Sequence, residues 1–483
     1  MAANGEASKL LELINDSMAV VFYDQYDDAY IAFNGDGSKV CKVSSKTCKQ
    51  WIMRLGHIEN EKVPASSVIN QVVQMLEGQA LFEGEQHELD VRLFKNEDGS
   101  LLYDLGSGSV QVDKSGWAVL EKPPIVFKRL SHQKPQVVPK RGGNLKQLLK
   151  YINLDNEPEQ ILFLTFVVTA FIPGFAHPIL ILHGTQGAGK STPMKIVKEL
   201  VDPSALNSGL PHPDSLANFG QTANHNAFLY YDNLSLVADW FSDALARAAT
   251  GSSFSKRQLF TDDEDVIYSF QRTIALNGIN QVVSRSDLLD RSILLQLERI
   301  TPDKRKEFNT FWADFEKDRP YILGAIFETI AKSMEAYPTV KVSSWPRMAD
   351  FAHWGYAIAE VAGYGGAKFL KAYSDNIKQQ HDHAIAASPL AQTIVEFMRE
   401  RTKWSGEPAE LYGLLHDIAV KLQLDRNSLW PRDAANMGKA LNQLIPNLVG
   451  KGIEVERRRG DQRIITLYHK TTDTTDGTDG KKG

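Results

Sequence analysis

The stretch HPILILHGTQGAGKSTPMKIV, His177 to Val197, decides the fold. An apolar run, Pro178 to Leu182, leads into spaced glycines and a lysine, and a helical pattern follows Lys190. This strand-loop-helix order suits the binding of nucleotide phosphates, because a helix N-terminus offers unpaired N–H groups and a favourable dipole to an anion. Gly184, Gly187 and Gly189 let the backbone wrap closely around the phosphates, Lys190 is placed to reach the β and γ oxygens, and the Ser191 hydroxyl suits Mg²⁺. The run from Gly184 through Gln186, Gly187, Ala188, Gly189, Lys190, Ser191 and Thr192 is therefore the expected cradle for ATP.

Working outward, 483 residues exceed one ordinary core and predict about three domains. Lys and Arg number 54 against 59 Asp and Glu, a net charge of −5, which excludes a uniformly basic nucleic-acid coat but leaves room for local basic stripes. Cys41 and Cys48 are too few for a disulfide framework, so a reducing, cytoplasmic setting is expected. The start, MAANGEASKL, lacks a charged-then-apolar signal, and the most apolar run, Ile161 to Pro173, is too short to span a bilayer. It reads as a buried helix beside the nucleotide strand, and no membrane partner is expected.

Residues 1–140 alternate short β-like runs (MAVVFYD, YIAFNG, SLLYDLG, GSVQV, WAVL, PIVFKRL) with one helical segment around Ser67 to Leu81, the pattern of an α+β domain. PKRGGN reads as a hinge. Helices and apolar strands then alternate over 141–320 as in a parallel α/β sheet, and 321–387 is helical throughout. A compact domain occupies 388–470, and the low-complexity tail 471–483 is expected to be disordered.

AFLYYDN, Ala227 to Asn233, is an apolar strand ending in a carboxylate, which places Asp232 beside the lysine loop as the magnesium acid. Asn233 follows it, so the base that activates the attacking water is left open. In QRTIALNGIN, Asn277 near the strand end either touches the γ-phosphate and orients water or makes a turn. In SRSDLLDRSILLQLERI, Arg285 and Arg291 precede a fourth strand. Arg291 abuts it, as a phosphate-stabilising arginine or as half of an ion pair with Asp287 or Asp290.

The order GTQGAGKS, LYYDN, a basic-then-acidic insert (SSFSKRQLFTDDEDVIYSFQR), ALNGIN and LLDRSILLQL resembles the AAA+ ATPases of helicase superfamily 3 and related replicative helicases of phages, plasmids and genomic islands. The resemblance spans roughly 145–370. It implies an AAA+ P-loop ATPase core with a helical lid, and an insert that forms a β-hairpin gripping nucleic acid in a ring channel. Asp232 is then the magnesium acid, Asn277 the sensor and Arg291 a finger reaching the neighbouring subunit's nucleotide. Lys256 and Arg257 lie in the motif leading into the hairpin, whose expected tip, TDDED, is acidic where better-known hairpins carry a lysine. Arg347, in WPRMADFAHWGYAIAEVAG, resembles the lid arginine that contacts the γ-phosphate, with a salt bridge to Asp350 as the alternative.

Three helical patterns, Leu390 to Arg401, Pro408 to Leu422 and Ala434 to Leu448, precede GIEVERRRGDQRIITLYH, the plan of a winged helix. Arg457, Arg458, Arg459 and Arg463 crowd its β-hairpin, where cations can neutralise duplex phosphates; a protein-docking role is the alternative. Asp24, Asp27 and Asp28 cluster after a strand, but no second carboxylate and His pair follows. A collar that admits DNA is expected there rather than primase chemistry, a primase remaining a possible partner. The expectation is an ATP- and Mg²⁺-dependent replicative DNA helicase of a mobile element, holding single-stranded DNA in the channel of a hexameric ring and duplex at the winged helix. The alternative is an ATP-switched origin-binding or loading protein without unwinding activity, and a small-molecule kinase is disfavoured by the insert and the winged ending.

Overall fold

The computed structural model describes residues 2–33, 40–60, 63–185, 187–234, 237–257, 265–278, 286–301, 305–459 and 463–469. It divides into two units, one of residues 1–282 with 295–372 and one of 283–294 with 373–483.

The first unit opens with α1 (Ala2–Asp16), the antiparallel strands β1 (Val20–Tyr23), β2 (Ala29–Ala32) and β3 (Val40–Lys42), then α2 (Lys46–Asn60) and α3 (Ser66–Phe82). Leu10, Ile14, Ile31, Val43, Ile52, Val72 and Leu76 form their common core. β1 and β2 fall on the expected runs MAVVFYD and YIAFNG, whereas of the three helices only α3 was expected from the sequence. Ala7, Leu10, Leu11 and Ile14 do recur at helical spacing and are all buried, but over a short, polar segment. In α2, Gly56 admits a close approach, because a Cβ there would lie 2.4 Å from Pro64 Cγ. The aspartate cluster is a turn: the Asp24 carboxylate accepts from the Tyr26 and Asp28 amides, Asp27 adopts φ 59°, and Asp28 pairs with Lys42.

An antiparallel meander follows, β4 (Leu93–Lys95), β5 (Leu101–Asp104), β6 (Ser109–Asp113) and β7 (Gly116–Leu120), while PIVFKRL, expected as a strand, is irregular around buried Phe127. The meander is locked to later elements. Arg92 is 1% exposed and donates to Asp202 (3.2 Å) and to the Pro203 carbonyl (2.9 Å), and the Tyr103 hydroxyl donates to the Leu200 carbonyl (3.0 Å). The division expected at 140 is therefore not a hinge. The Lys140 amide donates to the Pro320 carbonyl at 2.9 Å, and Cβ atoms on Gly143 and Gly324 would lie 2.0 Å from Tyr321 O and 1.9 Å from Lys140 O. The glycines serve backbone-to-backbone packing.

After a 3₁₀ helix (Leu145–Tyr151) come α4 (Glu157–Thr169), β8 (Ile179–His183), α5 (Ser191–Val201), α6 (Leu216–His225), β9 (Phe228–Tyr231) and α7 (Asp239–Thr250). Ile161–Thr169 of α4 is buried throughout, as its composition predicted. β10 (Ser252–Arg257) and β11 (Asp265–Phe270) form an antiparallel hairpin in register from Ser252 opposite Phe270 to Arg257 opposite Asp265. Of its expected tip, TDDED, all but Asp265 lies outside the described residues. Next are β12 (Thr273–Gly278), α8 (Ser286–Leu289), β13 (Ser292–Gln296), α9 (Phe308–Ala336), α10 (Ala349–Val361) and α11 (Gly366–Ala387). The sheet order is β13-β8-β12-β9, with β12 parallel to both β8 and β9; β9 and β12 are buried at every residue, as a sheet covered on both faces requires. Helix α9 runs through Pro320, so the boundary expected there falls inside one helix.

In the second unit α12 (Pro389–Met398), β14 (Lys403–Gly406), α13 (Pro408–Lys421), α14 (Ala434–Gly450), β15 (Ile453–Arg459) and β16 (Arg463–His469) enclose Leu390, Ile394, Phe397, Leu415, Leu441 and Leu467. The antiparallel sheet has the order β14-β16-β15. The three helices and the hairpin match expectation, whereas four-residue β14 carries too little pattern to be read from sequence.

Candidate nucleotide site

The glycines of the loop from β8 to α5 are required by its backbone and packing. Gly184 adopts φ 151° and a Cβ there would meet the Leu297 carbonyl at 2.2 Å; Gly187 (φ 84°) and Gly189 (φ 72°) take left-handed conformations. The Lys190 ammonium donates to the carbonyls of Gly184 (2.8 Å) and Thr185 (3.0 Å), closing the loop on itself. Burial lowers its pKa, and the Asp232 charge opposes that shift. Ala188 is buried, Thr192 stands in the first turn of α5 with its amide on the Gly189 carbonyl, and Gln186 lies outside the described residues.

Parallel strands bring the other groups to the same end of the sheet. The Ser191 hydroxyl donates to Asp232 Oδ1 at 3.0 Å, and a Cβ on Gly209 would press on Asp232 Cβ at 2.8 Å. Asn277 Oδ1 accepts from the Asn233 amide at 2.7 Å and its carbonyl accepts from Leu234 at 2.9 Å, which stabilises Asn233 at φ 55°. Asn277 thus makes the turn that the sequence allowed, and its Nδ2 is left buried without a partner. The Tyr230 hydroxyl is likewise buried beside Asp232, Ser191 and Asn277 and makes no hydrogen bond of full geometry; burial and then the Asp232 charge push its pKa up. Among the described residues no three His, Cys, Asp or Glu side chains cluster as metal ligands. One hydroxyl and one carboxylate, with orphaned polar atoms beside them, fit Mg²⁺, which takes few protein ligands and completes its shell with phosphate and water oxygens.

Arg299 is a residue the sequence did not single out. Its Nε lies 3.9 Å from where a Gly187 Cβ would be, and Ile300 reaches the loop too, its amide on the Gly187 carbonyl at 3.4 Å. Only the sheet order, which sets β13 beside β8, brings Arg299 there. Arg347 is exposed in the turn before α10. Arg291 stands between α8 and β13 in the second unit, and Arg285 lies outside the described residues.

Lys256 and Arg257 fall at the far end of β10, opposite Val266 and Asp265. The return strand β11 reaches β12 after only Gln271 and Arg272, and the N-terminal region braces that junction. The Tyr26 hydroxyl donates to the Ser269 carbonyl (2.8 Å) and accepts from its amide (3.0 Å), and Asp90 pairs with Arg272 at 3.4 Å. In the C-terminal hairpin Arg458 and Arg463 are exposed, Arg457 donates to the Gly438 carbonyl of α14 at 2.8 Å, and Arg459 stands opposite Arg463 in the register.

Residues 145–383 match the family model of the actinomycete integrative conjugative element replication protein, and residues 390–478 match the RepA C-terminal domain of the same elements. The chain belongs to this RepA family. It is thus a replication protein of a mobile element, as the order of motifs implied, and the match extends the resemblance read over 145–370. Within this RepA family member both matched segments begin next to helix caps, Asn144 before the 3₁₀ helix and Ser388 before α12. Comparison with curated proteins finds no match. Among solved structures, an apo form of the NrS-1 C-terminal region is 10% identical, with 95% of this chain and 98% of that one covered and a TM-score of 0.43. A JCV helicase structure is 12% identical over 46% of this chain and 65% of that one, with a TM-score of 0.25. No helix among the described residues is long and apolar enough to cross a membrane.

Proposed function

We propose that this RepA family member is an ATP-driven DNA helicase that works as a ring, most simply a hexamer. The observation that carries the reading is continuity: the strand bearing Asn277, beside the Ser191–Asp232 pair, is entered directly from the β10–β11 hairpin. A change in what Asn277 touches is therefore transmitted over a few residues to an element suited to grip single-stranded DNA. Lys190 and the α5 N-terminus hold the phosphates of ATP, and Ser191 and Asp232 hold Mg²⁺, which supplies charge neutralisation on the phosphoryl oxygens. Asn277 Nδ2 orients the terminal phosphate or the attacking water, and Arg347 of a helical lid reports on the nucleotide. Arg291 acts on the site of a neighbouring copy, which is why a ring is required. The 388–470 region is read as a winged helix: Arg458 and Arg463, exposed on its hairpin, suit duplex phosphates.

Strand displacement on forked DNA of both polarities, together with ATPase assays with and without single-stranded DNA, tests the reading. Unwinding on one polarity with DNA-stimulated turnover is expected. Duplex binding with slow, unstimulated turnover and no displacement would instead establish an ATP-switched origin-binding or loading protein.

A further inference from the structure

Tyr230 lies on β9 two residues before Asp232, which directly follows the strand, and the two side chains share one side: a Cβ on Gly209 would lie 2.8 Å from Asp232 Cβ and 3.5 Å from Tyr230 Cε1. The residue is 1% exposed, and its hydroxyl, set among Asp232, Ser191 and Asn277, makes no hydrogen bond of full geometry with any of them. Folded interiors seldom leave such a group unpaired without a reason. Tyr231 makes the contrast: its hydroxyl is also unpaired, but it points to the other face, where its ring packs edge-on to Phe241 at 5.1 Å and no ionisable neighbour perturbs it. Of the two, Tyr230 sets a hydroxyl beside the carboxylate and hydroxyl of the candidate cation site.

We infer that Tyr230 is a positioning residue for the divalent cation, its hydroxyl donating to the Asp232 carboxylate and accepting from a water of the cation's hydration shell. A phenol does both at once, which Asn277 Nδ2, a donor only, does not. Such outer partners fix the ligand's orientation, and their loss typically weakens metal binding about 10- to 100-fold. The inference rests on the nucleotide-site reading above, and it concerns how the cation is held rather than whether ATP binds.

The test is Tyr230→Phe in the full chain, with Tyr231→Phe as control. Binding of a fluorescent ATP analogue is followed while Mg²⁺ is titrated, and nucleotide-free protein is melted in parallel. For Tyr230→Phe the Mg²⁺ midpoint is expected to rise about tenfold or more. Affinity in EDTA should be unchanged, and the nucleotide-free melting temperature unchanged or higher, because removing an unpaired buried hydroxyl lifts a desolvation penalty. Tyr231→Phe should leave the midpoint where it is. A Tyr230→Phe midpoint equal to that of the unmutated protein overturns the inference, as does a lowered melting temperature with equal loss of affinity in EDTA, which marks a packing role. Failure of the unmutated protein to bind the analogue with or without Mg²⁺ overturns the nucleotide reading and this inference with it.

Discussion

The nucleotide loop and the C-terminal hairpin both gather polar groups for anions, but they do so in opposite settings. At the loop the groups are few and partly or fully shielded: Lys190, Ser191 and Asp232 are half-buried, Asn277 and Tyr230 are each 1% exposed, and single bonds fix Asp232 to Ser191 and Asn233 to Asn277. On the hairpin Arg458 and Arg463 are exposed, and the ladder holds the backbone rather than the charges. A preorganised, water-poor site concentrates its effect in individual atoms, whereas exposed arginines act through summed, salt-screened charge. Single substitutions should therefore be severe in the first region and graded in the second.

The largest effect is expected for Lys190→Ala, which should reduce ATP hydrolysis to background with the circular dichroism spectrum unchanged, since the ammonium bonds only loop carbonyls and supports no core. Normal turnover in that variant would remove the contrast. Arg291→Ala should lower the rate by about 10³ or more while ATP still binds. Mixing it with Asp232→Asn protein should restore part of the activity, because some interfaces then pair an intact finger with an intact carboxylate. Absence of any rescue would argue against a shared site.

A third expectation concerns acid. His177 is buried, its Nε2 lies 2.8 Å from the Thr169 carbonyl, and burial lowers its pKa from 6.5 to about 4. The unfolded chain then binds the extra proton first, so stability is complete above about pH 6.5 and declines as pH falls toward 4, by about 3 kcal/mol from this group. Urea denaturation at several pH values, with His177→Gln as the flattened comparison, measures it. The smallest effect should come from Arg458→Ala with Arg463→Ala. Duplex affinity should fall moderately, and its salt slope should become shallower by about 0.9 for each DNA phosphate that is no longer neutralised, with ATPase unchanged. A salt-independent decrease would point to protein docking instead.

Elements whose demands are local were legible. Gly187 and Gly189 need left-handed backbone, and the short apolar runs 179–182, 228–231 and 274–276 fit strands covered on both faces. The β10–β11 hairpin followed from the family resemblance, and the three C-terminal helices from short-range pattern. Helices α1 and α2 were missed because their buried residues are few and interspersed with Gly, Asn and Lys, so packing into a common core with α3 rather than propensity makes them helical.

What the sequence by itself determined is the set of chemical groups and the strand-loop-helix order that carries them, because those follow from steric and hydrophobic rules acting over a few residues. Tertiary structure alone decided that PKRGGN packs against α9, that Arg92 is spent on Asp202 across 110 positions, that Arg299 reaches the Gly187 loop, and that Tyr230 faces Asp232 with a hydroxyl still open. Those facts depend on which strand lies beside which and on which polar atoms remain unpaired after packing, and neither is encoded in any one stretch of chain.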